Sequence, residues 1–152
     1  RLNINLRILL RIYASLLLLQ QYLEINRQME VINIKGTDDT PNVILDKDAG
    51  VFEISGRSLP EDVTMFYQPI LDWIDEYAKA PNAKTEVMFK LEYFNTASSK
   101  VLLDVLLKYE EINDSGNEVV IKWHYHEDEE DMKEAGEEYE DIVTVPFEYV
   151  EY

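Results

Sequence analysis

Three hydroxyls crowd one junction. In the stretch Tyr93–Lys100 (YFNTASSK), Thr96, Ser98 and Ser99 follow Asn95 where an alternating apolar run gives way to one of helical period. A side-chain oxygen here can cap a helix by accepting one of the orphan backbone N–H groups of its first turn. The same open N–H groups and the helix dipole would also receive a phosphoryl group placed on a first-turn hydroxyl, with Lys100 close enough to help balance its charge. A threonine in this position is by itself a cap, and the physics leaves the phosphate alternative open.

The other residues with chemical potential are His124 and His126. They stand two apart on a strand, so their side chains face the same way, and carboxylates follow from Glu127 onward. Two imidazoles and a carboxylate can hold zinc or a similar divalent ion, which makes a metal-dependent enzyme one alternative. No third ligand has a defined spacing, and a polar strand face shared with Val120 and Lys122 explains the pair equally. The acidic run Glu127–Asp141 lacks the alternating oxygen ligands and central glycine of a calcium loop. A solvated helix or a flexible acidic face, able to dock a basic partner, is its expected form. There is no Gly-rich phosphate loop, no nucleophile elbow and no cysteine, so neither disulfide, thiolate metal site nor Cys nucleophile exists. The sequence points to a non-enzyme with no bound cofactor and no metal.

Charge narrows the partners. The 152 residues carry 31 acidic and 14 basic side chains, a formal net charge of −17. Such a surface repels phosphate backbones and anionic membranes, so neither a nucleic acid nor a membrane is expected as partner. A protein surface of complementary charge is. The charge also breaks sharply: residues 1–28 hold four arginines and one glutamate, whereas the rest holds Arg57, nine lysines and thirty acids. The first segment offers three readings: a membrane span broken by Arg11, a signal peptide without small residues at its cleavage position, or upstream-derived sequence. The third is adopted here, with residues 1–28 set apart from a domain over 29–152. If that segment is ordered, Leu16–Leu19 and Ile25 must pack on something, such as a neighbouring chain.

The elements that position the junction follow from periodicity. Glu30–Ile34 reads as a strand, and Val43–Leu45 and Val51–Ser55 flank Gly50 as a hairpin. GRSLPED reads as a helix entry with Ser58 as cap. The helix continues through Val63, Phe66, Tyr67, Ile70, Leu71, Ile74 and Tyr77, with Pro69 expected to kink or divide it. Thr85–Phe94 alternates as a long strand. Val101 to Ile112 forms a second amphipathic helix stopped at Gly116, Glu118–His126 a further strand, and Ile142–Val150 a last one at an edge because of Pro146. Strands alternating with helices predict an α/β (mixed α+β) domain with helices packed on a mixed sheet.

Three blocks in this order, ISGRS, FYQPILDW and LEYFNTASSK, followed by the acidic EDMKEAGEEYEDI, resemble the SiaC family of bacterial regulatory phosphoproteins. The likeness runs from about Val31 to Tyr152. It implies a STAS-like, anti-sigma-factor-antagonist-like domain with a sheet of four to six strands. It implies partner switching in the cytoplasm: a dedicated kinase phosphorylates the threonine of the YFNT motif, a PP2C-type phosphatase removes the phosphate, and the unphosphorylated form activates a diguanylate cyclase, linking it to cyclic-di-GMP and biofilm formation. Thr96 matches the phosphoacceptor, with Tyr93, Asn95, Ser98, Ser99 and Lys100 as the surrounding partner-binding residues. Ala97 stands where many members have serine, which leaves the acceptor intact. The alternative of a different class is a constitutive acidic scaffold domain whose binding ignores Thr96.

Overall fold

A computed structural model describes residues 3–152. The elements are α1 (Ile4–Ile25), β1 (Ile32–Ile34), β2 (Asn42–Asp46), β3 (Val51–Ser58), α2 (Val63–Lys79), β4 (Lys84–Phe94), α3 (Thr96–Asp114), β5 (Glu118–Tyr125), α4 (Glu130–Glu140) and β6 (Phe147–Glu151). The six strands form one sheet in sequence order. β1, β2 and β3 pair antiparallel as a meander, and β3 to β6 pair parallel, so the sheet is mixed.

The topology follows from how the crossovers are made. Each of α2, α3 and α4 carries the chain from one parallel strand to its immediate neighbour, always in the same direction along the sheet. Right-handed crossovers taken repeatedly in one direction place every helix on the same face. The alternation of β4 matches this arrangement: Thr85, Val87, Phe89 and Leu91 are buried, while Glu86 and Glu92 are exposed. The core lies between that sheet face and the helices. Phe52 of β3 meets Trp73 and Tyr77 of α2 with ring centroids 6.0 and 5.0 Å apart, and Phe89 stacks on Trp123 at 5.5 Å. The Trp73 Nε1–H donates to the Glu30 carbonyl at 2.6 Å and ties α2 to the segment before β1.

Four sequence expectations need correction. Ser58 does not cap α2; it ends β3 fully buried, and Asp62 caps the helix by accepting from the Met65 N–H at 2.9 Å. Pro69 does not divide α2, which runs unbroken from Val63 to Lys79. Pro69 and Met65 are exposed, so the carbonyl that loses its partner faces water. The last strand begins after Pro146, not at Ile142; Val143 and Val145 enter the core from an irregular segment. β6 does lie at the sheet edge. Arg11 does not interrupt the first segment, where α1 forms 22 continuous helical residues with none buried. Among the described residues α1 is the one helix long and apolar enough to cross a membrane.

Buried tyrosines set an alkaline limit on stability. Burial pushes the Tyr67 hydroxyl up to about 12 against the pull of its Ser58 hydrogen bond, and burial raises Tyr77 and Tyr109 as well. The folded state therefore holds these protons more tightly than the unfolded chain, whose tyrosines titrate near about 10. Their contribution is complete below that pH and is lost as pH rises through the folded values. Urea midpoints followed by far-UV circular dichroism are expected to stay level up to about pH 9.5 and fall between about pH 10 and 12. A level midpoint to the end of that range would contradict the burial of these hydroxyls.

Candidate functional site

The junction between β4 and α3 sits at the carboxyl end of the parallel strands, where open α/β sheets place their ligands and partners. Asn95, not Thr96, is the N-cap. Its backbone is extended, and its side-chain oxygen accepts the Ser98 N–H at 2.8 Å. Its carbonyl accepts the first intrahelical bond, from the Ser99 N–H at 2.9 Å. Thr96 is thus the first helical residue, exposed, and its hydroxyl makes no hydrogen bond among the described residues. The side chain that the sequence offered as a cap is released from that task by its neighbour.

The three hydroxyls have different fates. The Ser99 hydroxyl donates to the Thr96 carbonyl at 2.7 Å, a local bond that keeps it on the helix surface. Ser98 is fully buried and does not share the surface with Thr96. Its Oγ accepts from the Ser58 hydroxyl at 2.9 Å, and because Ser58 has one proton to give, the Tyr67 hydroxyl donates to Ser58 at 2.6 Å. The Asn95 N–H also donates to the Ser58 carbonyl at 3.1 Å. This buried chain binds the end of β3, helix α2 and the first turn of α3 into one unit beneath Thr96. The Tyr139 hydroxyl of α4 adds a fourth element, donating to the Ser99 carbonyl at 2.7 Å.

Charge is arranged asymmetrically around Thr96. Lys100 is exposed one turn along α3, and residues four apart share a helix face. Arg57, opposite Tyr93 in the β3–β4 register, lays its guanidinium 5.2 Å from the centroid of the half-exposed Tyr93 ring. On the other flank, Glu92, Glu127, Asp128 and Asp131 line a groove with Phe94 and Met132 at the start of α4. The acidic run is thus helical over Glu130–Glu140, held by Met132, Gly136 and Tyr139 on its buried side. Tyr93, Asn95, Thr96, Ser99 and Lys100 gather on one surface, with Ser98 below it.

His124 and His126 do face the same way. They flank the Tyr152 ring, with centroids 6.5 and 5.5 Å from it. The nearest carboxylate to His126 is that of Asp128, at 3.9 Å. Partial burial, with Lys90 beside it, lowers the His124 pKa from its ordinary value. No cluster of three or more His, Asp or Glu side chains suited to a metal gathers with them among the described residues. Ser58, Tyr67, Tyr139 and Arg57 are the site residues that local sequence patterns do not reveal. Their partners lie 9 to 40 residues away for the hydrogen-bonded three, and no periodicity encodes such distances.

Comparison with known proteins places this arrangement. Residues 34–152 match the model of the SiaC family regulatory phosphoprotein. An uncharacterised protein of Pseudomonas aeruginosa (strain UCBPP-PA14) is 31% identical over 119 residues, covering 78% of this chain and 94% of its own. The crystal structure of apo-SiaC from Pseudomonas aeruginosa superposes with a TM-score of 0.72 at 30% identity, over 80% of this chain and 98% of that one. The SiaC chain crystallised with the diguanylate cyclase SiaD, of which it is the activator, gives a TM-score of 0.74 at 30% identity over 80% of this chain and 99% of its own. The match runs from the last residue of β1 through β6, and the chain belongs to the SiaC family of regulatory phosphoproteins.

Proposed function

We propose that this is a non-enzymatic, cytoplasmic partner-switching protein controlled by reversible phosphorylation of Thr96. The observation that carries the reading is the free hydroxyl of Thr96. It is exposed on the first turn of α3, while Asn95 satisfies the cap and a buried hydroxyl chain holds the backbone beneath it rigid. In phosphorylation the Thr96 oxygen attacks the γ-phosphorus of ATP, the bond to the ADP oxygen breaks, and the threonine proton passes to a base of the kinase. The product places about two negative charges beside open helix N–H groups and Lys100, so the modification changes the surface without melting the helix.

The partners we propose are those that the family likeness implies. A dedicated kinase and a PP2C-type phosphatase set the phosphorylation state, and the unphosphorylated form binds and activates a diguanylate cyclase. Support for the cyclase comes from the Pseudomonas relative that activates one. Support for reversible modification comes from the family's description as phosphoproteins. The contact surface comprises Tyr93, Asn95, Thr96, Ser99 and Lys100, and Ser98 contributes by positioning them from below. This function resides in residues 29–152; α1 lies outside the family match, and we assign residues 1–28 an origin separate from the domain.

Treatment with the cognate kinase and ATP, followed by peptide mapping in a mass spectrometer, is expected to place one phosphate on Thr96. Phosphate found only on other residues would sink the assignment.

A further inference from the structure

Arg57 is the only arginine between Met29 and Tyr152, a stretch with thirty acidic side chains. Despite that surplus it forms no ion pair among the described residues. Its Nε–H donates to the Asp38 carbonyl at 3.1 Å, and its guanidinium plane rests over the Tyr93 ring. The hydrogen-bonding edge formed by the two terminal nitrogens is left without a partner among the described residues. That edge is the part of arginine whose geometry matches two oxygens of a phosphate at once.

Its position is set by the sheet. Arg57 pairs with Tyr93 and Ser58 with Phe94 in the parallel ladder, and the Ser58 carbonyl accepts the Asn95 N–H. The backbone that carries Arg57 therefore runs beside the backbone that delivers Thr96, at the ladder spacing of about 4.8 Å. A shift between Gly56 and Arg57 in this pairing lets both Tyr93 and Arg57 reach the surface while Ser58 stays buried.

We propose that Arg57 receives the phosphate on Thr96. The guanidinium leaves the Tyr93 ring and forms a paired hydrogen-bonded contact with two phosphate oxygens. This rests on Thr96 as the phosphoacceptor and names the device by which its modification is read. Transfer of Arg57 uncovers the Tyr93 face and removes a positive charge from the partner surface, so one phosphate alters three side chains at once. Lys100 alone offers a single ammonium, a point charge without the fork geometry.

The test uses the full chain with phosphothreonine installed at position 96 by genetic encoding, so it does not depend on a kinase. The second ionisation of that phosphate is followed by phosphorus-31 NMR in the otherwise unchanged protein and in Arg57→Gln and Arg57→Lys. The remaining charged groups around the site, Lys100 on α3, Asp38 and Asp39 before β2, Glu92 on β4 and Glu127–Asp131 before and within α4, are common to all three. Arg57→Gln is expected to raise the phosphate pKa by roughly half a unit, and Arg57→Lys by less. In the protein without substitutions, the Arg57 Nε–H resonance is expected to move on phosphorylation, a readout that needs no variant to fold. Superposed titrations for the parent protein and Arg57→Gln, or an Nε–H resonance that ignores the phosphate, would overturn the proposal. Failure of the kinase to modify Thr96 would instead remove the assignment of the acceptor.

Discussion

Replacing Thr96 by glutamate is expected to weaken binding to the proposed diguanylate cyclase partner by at least about tenfold, a loss of about 1.4 kcal/mol, while alanine leaves the affinity nearly unchanged. Neither change should disturb the fold. Thr96 is exposed and its hydroxyl bonds to nothing among the described residues, so both variants should stay within about 0.5 kcal/mol of the parent in stability. Glutamate at a first helical position is even mildly favoured by the helix dipole. Asn95→Ala supplies the contrast. It removes the oxygen that accepts the Ser98 N–H, and should cost about 1 kcal/mol of stability as other lost caps do. Titration calorimetry for affinity and thermal melts for stability separate the two roles. A scaffold that uses only its acidic face predicts equal affinities for Thr96→Glu and Thr96→Ala, and that outcome would reject the switch.

The second large effect lies in α4. Gly136→Ala is expected to destabilise the domain by about 1–3 kcal/mol, lowering the melting temperature by roughly 5–10 °C. On an exposed helix surface the same change would stabilise by about 1 kcal/mol, because glycine is the poorer helix former. Here a Cβ would lie 2.7 Å from both Cδ1 and Nε1 of Trp123. That indole cannot swing away. It is 1% exposed, its Nε1–H donates to the Met132 carbonyl at 2.8 Å, and it stacks against Phe89 and Phe147. Relief must come from α4 lifting, which strains the Tyr139 bond to the Ser99 carbonyl. A red shift of tryptophan fluorescence should accompany the lower melting point. An unchanged or higher melting temperature would show that α4 is not seated on Trp123.

These two positions also show what the sequence could and could not disclose. The strand β4 was legible because one residue in two faces the helices, and Val87, Phe89 and Leu91 announce it. The order of elements followed from similar local periods. Ser58 was misread as a helix cap because its neighbours, a proline and two acids, match that local pattern. Its actual partners, Tyr67 and Ser98, come from elsewhere in the chain, and a buried hydroxyl pair outweighs an exposed cap. Asn95 took the cap from Thr96 for a local reason: a polar side chain that reaches forward three residues serves equally from either position. The acidic segment was legible as a solvated helix or a flexible face, but charge hides which side of it is buried. Only Met132, Gly136 and Tyr139, spaced four and three apart, mark its buried stripe. Arg57 gave no local signal at all, since its significance depends on the ladder that sets it opposite Tyr93.

The central claim is that a single hydroxyl switches partner engagement. One preparation can be followed through a full cycle: unmodified, after the proposed kinase and ATP, and after the proposed PP2C-type phosphatase. At each stage mass spectrometry gives the phosphate occupancy of Thr96, and cyclic-di-GMP synthesis by the cyclase gives the output. Activation should fall in proportion to Thr96 occupancy and return when the phosphate is removed. Undiminished activation by protein fully phosphorylated at Thr96 would contradict the account.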